Sequence, residues 1–230
     1  MRKFLLIGSF IILIFVGLRF NSALFFSIKD HRCYAGDFLS DNYVASISDY
    51  ISFEDHKKLS APAIIDKLKK QFPIIDTIVI AFRPSGVHVK IEPYEPICCI
   101  NDSLVLTSHN ELFSKSIFSS QVLGLLPAVN VVESSISRAA QLLPDVLSML
   151  PADFNSKYNL TLINEHYVRL ADKTEPQFSV VFAVEQKNYL ALLEQCEIIK
   201  KSYRDRGAFD RGMEWIADTR FAHYIVAYKA

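Results

Sequence analysis

Apolar and polar positions alternate most regularly between Thr77 and Glu92. Ile78, Ile80 and Phe82 share one face of a first segment, Thr77–Arg83. Val87, Val89 and Ile91 share one face of a second, Val87–Glu92, and His88, Lys90 and Glu92 fall on the other. A period of two marks a half-buried strand, because successive side chains point to opposite faces. Arg83-Pro84-Ser85-Gly86 separates the two runs, and Gly86 can take the positive φ that a tight turn demands. The pair predicts a β-hairpin.

Upstream the period lengthens to that of a helix. Ile64, Ile65, Leu68 and Phe72 share one face, with Lys67, Lys69 and Lys70 on another. Ser60 can cap this helix, Pro62 suits its first turn, and Pro73 stops it. Asp66 and Lys70 stand four apart and can pair weakly. The three lysines read as the wetted face of the helix, or as a contact to anionic lipid or an acidic partner. An earlier stripe of Tyr43, Val44, Ile47 and Ile51 predicts a helix over Ser40–Ile51, and Phe26–Ala35 a poorly patterned first strand. The order strand, helix, helix, strand, strand predicts an α+β unit with two helices packed on a three-stranded sheet.

The texture changes after Pro96. Pro93 and Pro96 bracket a linker-like Tyr-Glu. Ile97–Ile100, Leu104–Leu106 and Glu111–Phe113 read as short strands, with Asn101-Asp102 and His109-Asn110 as turns. Glu133–Leu150 reads as a helix that Pro144 must kink or divide. Tyr158–Ile163 and Tyr167–Leu170 form a strand pair, and Gln177–Val184 is a further strand. Gln186–Tyr203 is the longest helix, with Tyr189, Leu192, Leu193, Cys196, Ile199 and Tyr203 on one stripe. Trp215–Asp218 and Arg220–Lys229 close the chain as strands. This second unit is expected to be mostly antiparallel sheet with two or three helices.

Ahead of both units, Met1-Arg2-Lys3 leads into the apolar run Phe4–Leu18. As a helix that run spans roughly 22 Å, short of a hydrocarbon core of about 30 Å. Extension through Phe20 and Ala23–Phe26 covers the thickness if Arg19 snorkels to the interface. Two readings compete, a retained signal anchor and a cleavable signal peptide. The residues after Leu18 are bulky and offer no Ala-x-Ala site, which favours the anchor. The fold class expected for the whole chain is therefore α+β behind an N-terminal transmembrane helix, with the bulk outside the cytoplasm.

Composition narrows the function. Half of the 230 residues are hydrophobic, and 25 Lys plus Arg balance 25 Asp plus Glu. Such a chain buries a sizeable core, and it lacks the basic excess that nucleic-acid binding requires. Only seven glycines argue against phosphate-cradling loops. No His-Glu-x-x-His, Gly-x-Ser-x-Gly or Walker-type motif occurs. No catalytic residue, metal ligand, cofactor or small-molecule substrate is expected. The cysteines are Cys33, Cys98, Cys99 and Cys196, without a Cys-x-x-Cys. Cys196 can join Cys98 or Cys99 in an oxidising compartment, and the alternative is buried free thiols.

The order of elements resembles the bacterial cell-division family FtsQ, called DivIB in some lineages. Phe72–Asp102 follows the family's hairpin pattern, with Pro73, Arg83, Gly86, Val89, Glu95 and Pro96 in place. Ser103–Ser116 resembles a strand-turn element that keeps Glu111 and Phe113, and Leu125–Val129 the leucine-proline step after it. Ile216–Lys229 resembles the closing strand through Asp218, Arg220 and Phe221, with phenylalanine for tyrosine and one residue inserted. The chain departs from the family in its short tip and in lacking the usual glycine near His109-Asn110.

This resemblance implies a cytoplasmic tip (residues 1–3), a transmembrane signal anchor (4–26), a POTRA-like β-α-α-β-β domain (27–95) and a β domain (96–230). It implies a non-enzymatic scaffold in the bacterial inner membrane at the division septum, linking other division proteins by β-strand addition and membrane-helix contacts. Its partners would be the bilayer and FtsB-like and FtsL-like single-pass subunits. The contact residues it implies are Phe221, His223, Tyr224, Ala227, Tyr228 and Lys229. Two other classes are a POTRA-bearing secretion or chaperone accessory of the envelope and a secreted enzyme without a recognisable motif.

Overall fold

The computed structural model describes residues 31–52, 61–83, 86–132, 135–205, 214–220 and 225–229. The chain divides into two units. The first runs up to Tyr94 and takes in Ile117–Ser119; the second comprises Glu95–Ser116 and Ser120 onward. Among the described residues the architecture is α+β, with two sheets and six α-helices.

The first unit follows the order β1 (His31–Ala35), α1 (Asp41–Ser52), α2 (Ala61–Gln71), β2 (Ile75–Arg83), β3 (Gly86–Pro93). Its sheet runs β1-β3-β2, with β2 antiparallel and β1 parallel to β3. A tight turn suffices for the hairpin, whereas the parallel neighbour needs the two helices to carry the chain back. Ile47 and Ile51 of α1, Leu68 of α2, and Ile75, Ile78, Val89 and Ile91 of the sheet are buried together with Phe72 and Ile74. Each such side chain contributes about 1.5–3 kcal/mol on leaving water. Tyr43 and Tyr50 meet Phe72 edge-on, at 5.7 and 5.5 Å between ring centres.

One contact of this unit has no period in the sequence to announce it. Ser40 N–H donates to the Ile117 carbonyl at 2.8 Å, and Ser119 N–H to that of Phe38 at 2.9 Å. Leu39 and Phe118, both buried, bridge in antiparallel fashion between them. The residues leading into α1 are thus held by a segment nearly eighty residues later. The expected cap Ser60 and the turn residues Pro84 and Ser85 lie outside the described residues.

The second unit contains β4 (Pro96–Ile100), β5 (Leu104–Thr107), β6 (Leu112–Ser114), α3 (Ser120–Leu123) and β7 (Ala128–Val131). It continues with α4 (Ile136–Met149), α5 (Phe154–Lys157), β8 (Tyr158–Leu162), β9 (Tyr167–Asp172) and β10 (Phe178–Ala183). It ends with α6 (Tyr189–Asp205), β11 (Trp215–Asp218) and β12 (Val226–Lys229). The nine strands lie in the order β12-β11-β10-β9-β8-β7-β4-β5-β6. Three neighbouring pairs, β4/β7, β7/β8 and β10/β11, are parallel. Helices provide two of the crossovers, α4 with α5 from β7 to β8, and α6 from β10 to β11.

Helix α4 is not divided: it passes through Pro144 from Ile136 to Met149. Proline removes the hydrogen bond to Ala140 and crowds its carbonyl. The helix is kept whole by a buried face of Ala139, Ala140, Leu143 and Val146. Strand β7 and the short α3 answer to no element expected from the sequence. The closing strand is shorter than expected, starting at Val226, and Arg220 precedes it without regular structure.

The expected fold class is corrected at its first element. Among the described residues no helix is long and apolar enough to cross a membrane. The longest, α6, has 17 residues and carries Glu194, Glu197, Lys200, Lys201, Arg204 and Asp205, charges that hydrocarbon would not accept. The span expected at residues 4–26 lies outside the described residues. Its uncharged run ends at Leu18, where Arg19 follows. Among the described residues the fold class is α+β with two sheets and no transmembrane helix.

Candidate functional site

Strand β12 terminates the nine-stranded sheet, so one of its flanks is paired and the other, among the described residues, is not. On the paired flank Val226, Ala227, Tyr228 and Lys229 stand opposite Asp218, Ala217, Ile216 and Trp215 of β11. Val226 is 41% exposed and Ala227 half-buried. On an edge strand, alternate N–H and C=O groups point away from the sheet, where a further strand can bond them. Of the six contact residues expected from the sequence, the structure places Ala227, Tyr228 and Lys229 on this edge. Phe221, His223 and Tyr224 lie outside the described residues.

Two clamps fix the chain as it leaves β11. Thr219 N–H donates to the Val181 carbonyl of β10 at 3.0 Å, and its hydroxyl to the same oxygen at 2.9 Å. Gln186 Nε2 donates to the Thr219 carbonyl at 3.1 Å. The second clamp is an ion pair within the closing motif. The Asp218 carboxylate, buried at the end of β11, accepts Arg220 Nε at 2.7 Å and Arg220 N–H at 3.1 Å, and Arg220 Nη2 reaches its second oxygen. Burial opposes the charge on Asp218, but the hydrogen bonds from Arg220 outweigh it and hold the carboxyl below its ordinary range. The Arg220 guanidinium also lies 4.6 Å from the ring centre of Tyr167, a cation–π contact. Asp218 and Arg220, which the sequence marks only as a motif, thus set the start of the connection into β12.

A second charged cluster, which sequence reasoning missed, fastens α6 to the sheet. Lys200 is 4% exposed. Its ammonium is paired with Asp172 at the end of β9 and lies 3.1 Å from Glu175 and 3.5 Å from Glu197. Arg204 reaches Glu175 at 2.6 Å, and the Tyr158 hydroxyl donates to Glu197 at 2.7 Å. Asp172 also accepts from Thr174 N–H and hydroxyl, both at 2.7 Å, and from Glu175 N–H at 3.0 Å. Desolvation works against the charges of Asp172 and Lys200, yet these bonds hold Asp172 below and Lys200 above their ordinary values. The available signal was positional: Tyr189, Leu193, Cys196 and Lys200 form one buried stripe, so a lysine occupies a core position.

The four cysteines are free, with Cys98, Cys99 and Cys196 buried. Desolvation raises the Cys98 and Cys196 thiols to about 12, which leaves them inert as nucleophiles at neutral pH. Among the described residues no group of three or more His, Cys, Asp and Glu side chains could hold a metal ion. A scan against protein-family models finds no match for this chain. A search of curated proteins finds no relative.

Proposed function

We propose that this protein is a non-enzymatic scaffold that acts outside the cytoplasm at the bacterial division septum and holds other division proteins by β-strand addition. The observation that carries this reading is the position of β12 at the end of the nine-stranded sheet with one flank unpaired among the described residues. Main-chain hydrogen bonds along that flank would supply affinity, and alternate side chains would supply register. The incoming segment would come from an FtsB-like subunit, with an FtsL-like subunit held through it. Further support comes from the resemblance of the closing motif, whose Asp218 and Arg220 fix the chain entering β12.

Capture of the FtsB-like subunit by the full chain tests this reading. Ala227→Pro removes a backbone donor from β12, and Val226→Asp adds a charge at an exposed edge position. Both are expected to abolish capture and septal recruitment of the partner while the circular-dichroism spectrum stays native. Undiminished capture by folded variants would exclude strand addition at β12.

A further inference from the structure

Strand β2 is the longest among those described, with nine residues, and it is an edge. In the order β1-β3-β2 one flank pairs with β3 and the other is unpaired among the described residues. Natural sheets guard such edges with lysine, proline, short strands or bulges. Here the arrangement is inverted. Thr77-Ile78-Val79-Ile80-Ala81-Phe82 on the edge carries neither charge nor proline, whereas His88, Lys90 and Glu92 are on the central strand β3. The one irregularity in β2, the register shift between Ile75 and Thr77, falls before that run and leaves it regular. Val79, in its middle, is 50% exposed, while the neighbouring Ile78 is buried.

We propose that a second copy of this chain pairs antiparallel with β2, through a two-fold axis passing beside Val79. A two-fold antiparallel pair keeps residues of the same facing opposite each other, so partners sum to an even number. Centred on Val79, the sequence matches itself. Val79 meets its own counterpart, Ile78 meets Ile80 of the second copy, and Thr77 meets Ala81. The Ile78–Ile80 pairs extend the apolar face that each sheet turns to its helices, and the two exposed Val79 side chains meet side by side on the opposite face. No like charges are opposed between Thr77 and Ala81. Lys90, which stands beside Val79 on β3, is already neutralised by Glu92 at 2.6 Å. The product is a six-stranded sheet, β1-β3-β2 continued through the second copy. The palindrome Ile78-Val79-Ile80 sets like against like across the axis, which is what selects a second copy as the partner. Strands β2 and β12 belong to different sheets, so pairing at β2 leaves the outer backbone groups of β12 unused.

Sedimentation velocity on the full 230-residue chain tests this, with Val79→Lys and Val79→Glu prepared separately and as an equimolar mixture. The wild-type chain is expected to show a concentration-dependent monomer–dimer equilibrium. Each variant alone places like charges directly opposite each other and should weaken dimerisation by about tenfold or more, and the mixture should restore it. Val79→Arg replaces the lysine variant and Val79→Asp the glutamate variant if either fails to fold, since both keep the charge at the position that faces itself. Val226→Asp should dimerise as wild type, which separates this inference from the role proposed for β12. A wild-type chain that stays monomeric, variants that associate as wild type, or a folded mixture that stays monomeric would each overturn the Val79-centred pair.

Discussion

Lys200 of α6 is paired with Asp172 at the end of β9, and both side chains are almost wholly withdrawn from water. Such a pair adds little over a well-packed apolar substitute, but removing one member leaves the other as an uncompensated buried charge. Lys200→Met is expected to destabilise the fold by about 3–5 kcal/mol, and Asp172→Asn to act in the same direction. The double variant should cost less than the sum of the two single ones, because it leaves neither charge stranded. Urea unfolding of the three variants measures this. Simple additivity would mean that the two groups do not act as a pair.

The shifted carboxyl, thiol and ammonium groups give stability a defined dependence on pH. Asp172, Glu175 and Asp218 lie below the ordinary carboxyl range, because bonds from Lys200, Arg204 and Arg220 outweigh desolvation. Their contribution is present above the unfolded value of about 4 and is lost as pH falls through the lower folded values. Desolvation raises Cys98 and Cys196 to about 12. Their contribution is complete below the ordinary thiol value of about 8.5 and disappears as pH rises through the folded value. Lys200 is also raised, with the same sign at still higher pH. Thermal melts across pH should show a plateau between about pH 5 and 8.5, with losses on both sides. A melting temperature that climbs on the acid side of pH 4 would contradict the assigned signs.

Asn101 extends the pairing of β4 with β7 by one step beyond the backbone. Cys99 N–H donates to Pro127 and Asn101 N–H to Val129, each at 2.9 Å. The Asn101 side chain then takes the place of the next residue, donating from Nδ2 to the Val131 carbonyl at 3.0 Å and accepting Val131 N–H at 2.8 Å. It does so with φ of 49°, a conformation asparagine tolerates better than most residues. Asn101→Gly keeps that backbone freedom and loses two bonds, for about 1–3 kcal/mol. Asn101→Ala should cost more, since it adds left-handed strain of about 1–2 kcal/mol. Equilibrium unfolding of both variants decides it, and an alanine variant as stable as the glycine variant would remove the strain argument.

What could be read from the sequence was local in origin. The hairpin of β2 and β3, the stripes of α1 and α2, and the asparagine turns at Asn101 and Asn110 all lie within a few residues of their causes. Strand β7 escaped because both of its neighbours, β4 and β8, are parallel, and parallel partners leave no turn in the sequence to mark them. The bridge of Leu39 to Phe118 escaped for the same reason of distance. At the candidate site a strand through Ala227, Tyr228 and Lys229 was legible in the sequence, and its place at the sheet's end follows only from the assembled strand order. Lys200 was the opposite case, a visible anomaly on an apolar stripe whose partners 25 and 28 residues earlier no periodicity connects to it.

Hydrogen exchange at β12 brings the edge and its clamp into one measurement. In an antiparallel edge strand alternate amides bond the neighbouring strand and the others face outward. Among Val226–Lys229, the inward amides are expected to be protected and the outward ones to exchange rapidly in the isolated protein. Adding the FtsB-like segment should protect the outward set selectively, because strand addition satisfies those groups and no others. Arg220→Ala strands the Asp218 carboxylate and frees the start of the connection, so the inward amides should also exchange faster. Arg220→Lys should rescue only in part, since an ammonium cannot reproduce the forked contact to both oxygens of Asp218. Uniform protection of all four amides before any partner is added would mean that the outer flank of β12 is already covered, and strand addition there would have to be abandoned.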